Sequence, residues 1–193
     1  MTKSRLVAFT DGVVAIVITI LVLDIKLPET PTLSALYEMR HIVIAYTVSF
    51  VFISVIWVSH HRLFQLADKI NYKVIWANIF WLFWLTLCPA VTNWVGIFPE
   101  QFYPELLYAL VYTMWSFSFS LIGRELVKSN GGGSHIAKVI RNDKRSMLSM
   151  IINFLLIGGV FVFPPIAMIG RFLVSIIWVI SYENANKYLS RNK

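Results

Sequence analysis

The stretch Arg5-Leu6-Val7-Ala8-Phe9-Thr10-Asp11-Gly12-Val13-Val14-Ala15-Ile16-Val17-Ile18-Thr19-Ile20-Leu21-Val22-Leu23-Asp24 decides the fold class. From Gly12 to Leu23 it carries no charge, and a helix over Leu6 to Leu23 is about as long as a bilayer crossing requires. Asp11 stands at the mouth of this run, where an ionised side chain is costly and must face protein, water or an ion rather than lipid. The run is longer than a secretory h-region, and Leu23-Asp24-Ile25-Lys26 at its end offers no small-residue cleavage site. It reads as a transmembrane helix, and its aspartate makes it the place to look for function.

Outward from this segment the composition stays apolar. Of 193 residues, 58% are hydrophobic and 14% charged, against about 25% charged in an ordinary soluble domain. Apolar stretches at 6–24, 41–60, 74–98, 104–123, 147–163 and 166–182 predict an all-α polytopic membrane protein, a single six-helix domain over 1–193. No room remains for a soluble domain with its own core.

Charge predicts the orientation. With the N-terminus inside, the inner segments collect Lys3, Arg5, Arg62, Lys69, Lys73, Arg124, Lys128, Lys138, Arg141, Lys144, Arg145, Lys187, Arg191 and Lys193, while Lys26, Arg40 and Arg171 fall outside. This positive-inside bias predicts a cell-membrane protein with both termini cytoplasmic. The net charge of +7 then reflects topology and anionic lipid headgroups, so the expected partner is the bilayer and not nucleic acid. Residues 25–40, with Pro28 and Pro31, form the longest outer loop; Phe98 to Pro104 and Pro164-Pro165 make turns, and Ser129 to Ser134 is a flexible inner linker. Trp57, Trp76, Trp94, Tyr103 and Tyr182 lie near span ends, as aromatic anchors do. Cys88 is the only cysteine, which excludes an intrachain disulfide and fits a small buried hydrophobe.

Helix geometry divides the first span into stripes. Ala8, Gly12, Ala15 and Thr19 form a line of small residues, and Ile16, Ile20 and Leu23 form an aliphatic line beside it. The small line permits close helix approach. The aliphatic line either borders a central axis or faces lipid or core, and spacing alone leaves both open. At the end of the second span stand Trp57, Ser59, His60, His61, Arg62 and Phe64. Adjacent histidines project about 100° apart, so one faces the bundle and the other the interface. A network of Arg5, Asp11 and His60 or His61 would satisfy the buried aspartate; headgroup-solvated histidines are the other reading. His-His-Arg lacks metal-ligand spacing, so no metal site is expected beyond a permeating ion.

These residues carry a resemblance. Arg5-x-x-x-Phe9-Thr10-Asp11 resembles the Arg-x-x-x-Phe-Ser-Asp signature of the transmembrane protein 175 potassium channel family, and Trp57-x-x-His60-His61 with Phe64 resembles its second-helix motif. The resemblance implies a homotetrameric cation channel whose first helix lines the pore. It implies a narrowest constriction at Ile16, further hydrophobic layers at Ile20 and Leu23, and a role for Thr19 in potassium preference. It also implies a supporting network of Arg5, Phe9, Thr10, Asp11, Trp57 and the histidines. Thr10 departs from the signature serine but keeps a hydroxyl, and Ala15 stands where some members carry serine. K+ is the implied permeant ion, with no cofactor. A Thr-Val-Gly-Tyr-Gly carbonyl cage is absent from the sequence, so modest preference for K+ over Na+ is expected.

Two other classes compete. A secondary transporter of small solutes, proton-coupled or otherwise, draws weak support from Pro89 and Gly158-Gly159 within spans. An intramembrane enzyme is not expected, because Ser116, Ser118 and Ser120 have no base at matching depth and suit helix packing instead. Arg171, within the last span, is expected to snorkel outward or to pair with a carboxylate.

Overall fold

The computed structural model describes residues 1–143 and 145–190, the segment 180–190 as backbone only. Lys144, Arg191 and Lys193 lie outside the described residues, as do the side chains of Tyr182 and Lys187. The described chain is helical throughout: α1 (Lys3–Leu23), α2 (Leu33–Glu38), α3 (Arg40–Gln65), α4 (Tyr72–Ile97), α5 (Phe102–Asn130), α6 (His135–Asn142), α7 (Arg145–Val160) and α8 (Ile166–Ser190). Four of these, α1, α3, α4 and α5, are long and apolar enough to cross a membrane, while Arg145–Val160 and Ile166–Val179 are shorter apolar helices.

Local chemistry sets the helix ends. Thr2, Asn71 and Ser134 cap α1, α4 and α6 by accepting the backbone N–H groups of Arg5, Val74 and Ala137. α5 stops at Gly131, whose φ of +88° suits glycine, and the Gly131 N–H closes the last turn on Val127 O at 2.9 Å. Two elements break the expected loops. Residues 25–40 contain α2, and the glycine linker leads into α6, which turns Ile136 and Ala137 inward and leaves Lys138 and Arg141 exposed.

The core lies between α3, α4 and α5, where Trp81 stacks on Trp115 at 5.5 Å and Phe52 meets Trp115 edge-on. α1 sits on the flank: 28% of its apolar window is buried, against 50% for α5, so most of α1 faces away from its own subunit. Hydrogen bonds tie three segments together at one end of the bundle. Lys3 Nζ donates to Ala67 O at 2.6 Å, joining the start of α1 to the α3–α4 connection. Asn130 Oδ1 accepts from the Asp68 and Lys69 N–H groups, both at 2.9 Å, bringing the end of α5 to the same place.

Arg171 departs from expectation. It is 1% exposed and is paired with no carboxylate among the described residues; its guanidinium lies 4.8 Å from the ring centroids of both Phe52 and Tyr112. A planar, weakly hydrated guanidinium stacks on aromatic faces where a compact ammonium would not. Of the three serines of the fourth span, Ser116 and Ser118 bond their own helix, and Ser120 joins α5 to α7 through Ser146 at 2.7 Å.

Candidate functional site

α1 packs on α3 and α4 through Leu6, Thr10, Val14, Val17 and Leu21, spaced so that each falls on one side of the helix. The opposite side is uncovered. Phe9 is 55% exposed, Ile16 59% and Leu23 77%, and Arg5, Gly12, Thr19 and Ile20 are exposed with them. At 3.6 residues per turn Arg5, Phe9, Gly12, Ile16, Thr19 and Leu23 run along one line, with Ile20 beside it. Both sequence stripes therefore share the free face, and neither is used to pack the subunit. Thr19 Oγ1 donates its hydrogen back to the helix, to Ile16 O at 2.7 Å or Ala15 O at 3.1 Å. With its hydrogen used there, the hydroxyl oxygen keeps its capacity to accept.

Behind this face a polar chain crosses three helices. His60, fully buried on α3, bonds through Nε2 to Asn78 Oδ1 of α4 at 2.7 Å. Asn78 Nδ2 donates to Thr10 Oγ1 of α1 at 2.8 Å, and Thr10 Oγ1 donates to Leu6 O at 2.9 Å. Because the Asn78 amide donates to Thr10, its oxygen faces His60, and His60 Nε2 must carry the hydrogen. The His60 ring is sandwiched by Trp81 at 4.7 Å and Phe64 at 4.5 Å. The extra methyl of Thr10 is accommodated, since the residue is fully buried with its bonds made.

The expected network of Arg5, Asp11 and a histidine does not form within the subunit. Asp11 Oδ1 accepts instead from Trp57 Nε1 at 2.8 Å. His61 is exposed and bonds Gln65 Nε2 at 2.9 Å. Arg5 is exposed and makes no ion pair among the described residues. The reason is angular: six residues apart, Arg5 and Asp11 project about 120° from each other. Asp11 thus turns to α3 while Arg5 joins the free face. Sequence reasoning overlooks Asn78, the link between α1, α3 and α4; its signal was an isolated amide within the apolar run from Val74 to Val91.

Similarity to known proteins bears on this arrangement directly. Residues 5–89, which hold both motif segments, match the family described as endosomal/lysosomal potassium channel TMEM175. A potassium channel of Chryseobacterium sp. (strain P1-3) is 35% identical over 192 residues, with 100% of both chains covered. The chain belongs to the TMEM175 family. TMEM175 proteins are ion channels, not enzymes. The endosomal/lysosomal proton channel TMEM175 of Gallus gallus is 33% identical over 118 residues, 55% of this chain and 24% of that one. The crystal structure of a lysosomal potassium-selective channel TMEM175 homolog from Chamaesiphon minutus shares the fold, with a TM-score of 0.83 over 93% of this chain and 97% of that chain at 24% identity.

Proposed function

We propose that the chain is one subunit of a potassium-permeable channel, a single six-span domain that assembles as a homotetramer around α1. The observation that carries this reading is the uncovered face of α1, with Ile16, Thr19, Ile20 and Leu23 on it and a second, packed face behind. Relatives named as potassium channels support the permeant ion. Both termini lie in the cytoplasm of a cell-membrane protein, in keeping with the single basic end.

In the tetramer, Ile16 side chains meet near the axis and make a ring too narrow and dry for a hydrated ion, so that the pore closes by dewetting. Ile20 and Leu23 add apolar layers toward the other end. Thr19, one turn from Ile16, presents an acceptor oxygen that helps a potassium ion shed water, and with no carbonyl cage the preference over sodium is modest. The polar chain from His60 to Thr10, with the Trp57–Asp11 bond, holds the pore helix in register. Phe9 and Arg5 lie on the free face, where contacts between subunits are made. K+ is the permeant ion, and the mechanism requires no bound cofactor.

The test is ion flux into liposomes containing purified protein, with K+, Na+ and H+ gradients in separate arms. The proton arm is included because vertebrate relatives are named proton channels. Ile16→Asn should raise passive K+ flux severalfold by wetting the constriction. Unchanged flux in that variant removes the constriction from Ile16, and saturable uptake driven only by a proton gradient replaces the channel with a transporter.

A further inference from the structure

A cavity of about 460 Å³ lies at the basic end of the bundle among α3, α5, α6, α7 and α8, with no α1 residue among its described lining. Its walls are mostly apolar: Leu63 and Leu66 from α3, Val139 and Ile140 from α6, and Met147 and Met150 from α7. Against these walls stand three arginines, Arg62, Arg124 and Arg145, and one carboxylate, Asp143. Arg145 is held in place: its Nε donates to Asp143 Oδ1 at 2.7 Å, its Nη2 pairs with Asp143 Oδ2, and its guanidinium lies 5.1 Å from the Trp178 ring. Its Nη1 is buried and bonded to nothing among the described residues, which leaves a donor at the cavity unused. Arg124 is exposed at the rim. Met147 on the cavity wall is 69% exposed and its neighbour Leu148 46% exposed, so the α7 side of the cavity reaches the surface of the subunit.

We infer that this cavity binds one anionic phospholipid per subunit, its phosphate on Arg124 and Arg145 and an acyl chain along the methionine-lined wall. Arg124, exposed at the rim, and the spare Nη1 donor of Arg145 favour a negatively charged group, and basic pockets between membrane helices suit lipid phosphates. The apolar lining argues for a lipid over a free anion, since phosphate alone would leave most of the wall facing water. The volume falls within the usual range for small-molecule pockets, about 300–1,000 Å³. α6 roofs the site with its apolar side and turns Lys138 and Arg141 outward, as an interfacial helix does. Assignment to the inner leaflet rests on the orientation proposed above. Binding itself does not, because detergent-solubilised protein reports on the cavity whichever way the subunit inserts.

The experiment is native mass spectrometry of the purified protein titrated with dioleoylphosphatidylglycerol or dioleoylphosphatidylcholine. One phosphatidylglycerol per subunit should bind in preference to phosphatidylcholine. Arg124→Gln should weaken it about fivefold, the worth of one basic side chain near a lipid headgroup. Gly123→Leu should displace it: a Cβ at Gly123 meets only Ile140 Cδ1 at 3.5 Å, so the fold accepts the start of a side chain whose end enters the cavity. Equal binding of the two lipids, or wild-type binding by both variants, overturns the proposal. Displacement by millimolar inorganic phosphate would make the ligand a free anion, and self-cross-linking of Met147→Cys between subunits would make the groove a protein contact; either also overturns it.

Discussion

Replacing Asn78 with leucine would strand two buried groups at once, the His60 Nε2 hydrogen and the Thr10 hydroxyl oxygen. Each unpaired group costs about 1–3 kcal/mol in a soluble protein, and side-chain hydrogen bonds between membrane helices average less, about 0.6 kcal/mol. Asn78→Leu should therefore lower stability by about 1–2 kcal/mol, read as a fall in the thermal unfolding midpoint in detergent. Thr10→Ser keeps the hydroxyl and removes one methyl, a loss of about 0.8 kcal/mol. If the two variants unfold at the same temperature, packing and not the bonded chain holds α1 in place. At this scale the sequence was partly legible. It singled out Thr10, Asp11, Trp57 and His60, but the partners differ because adjacent histidines and residues six apart on a helix point in different directions. Arg171 was misjudged for another reason: its partners, Phe52 and Tyr112, lie on two other helices and carry no charge to betray the pairing.

At the scale of the element, α1 is apolar almost all round, so its sequence contains little to distinguish the packed line of Val14, Val17 and Leu21 from the free line of Ile16, Ile20 and Leu23. The chemistry of the two lines is the same, and only the shapes of α3 and α4 choose between them. The long helices were legible because their length and uncharged runs are set by the bilayer. The short α2 and α6 were not, since neither is apolar or long enough to announce itself. Gly12 gives a clean test of the free face. A Cβ there meets nothing within 4 Å in the subunit, so Gly12→Leu should leave the subunit folded and inserted. If the small stripe brings neighbouring copies together, the same change should shift the assembly to smaller species in gel filtration and cross-linking. An intact oligomer would move the contact between subunits off this stripe.

For the whole molecule, the basic end brings the start of α1, the α3–α4 connection and the end of α5 together. Its facing can be read chemically because Cys88 is fully buried and leaves the wild type silent to aqueous thiol reagents. A membrane-impermeant maleimide should label Thr30→Cys in intact cells and Ser134→Cys only after lysis; the reverse pattern inverts the proposed topology. The same lacing has a bearing on how such a subunit moves. Among the described residues, the side-chain bonds from α1 to the other helices and loops, those of Lys3, Thr10 and Asp11, all fall in its first half. The half from Gly12 to Leu23, about 18 Å long, rests on α3 and α4 through methyl groups alone. Methyl contacts slide where hydrogen bonds would have to break, so any tilting of α1 should concentrate in the segment that carries Ile16. Hydrophobic mismatch with the bilayer adds a modest cost that packing and anchors must balance, so flux through the proposed pore should change with lipid acyl-chain length in liposomes, with no ligand added. Equal flux in thin and thick bilayers would show that α1 is held rigidly.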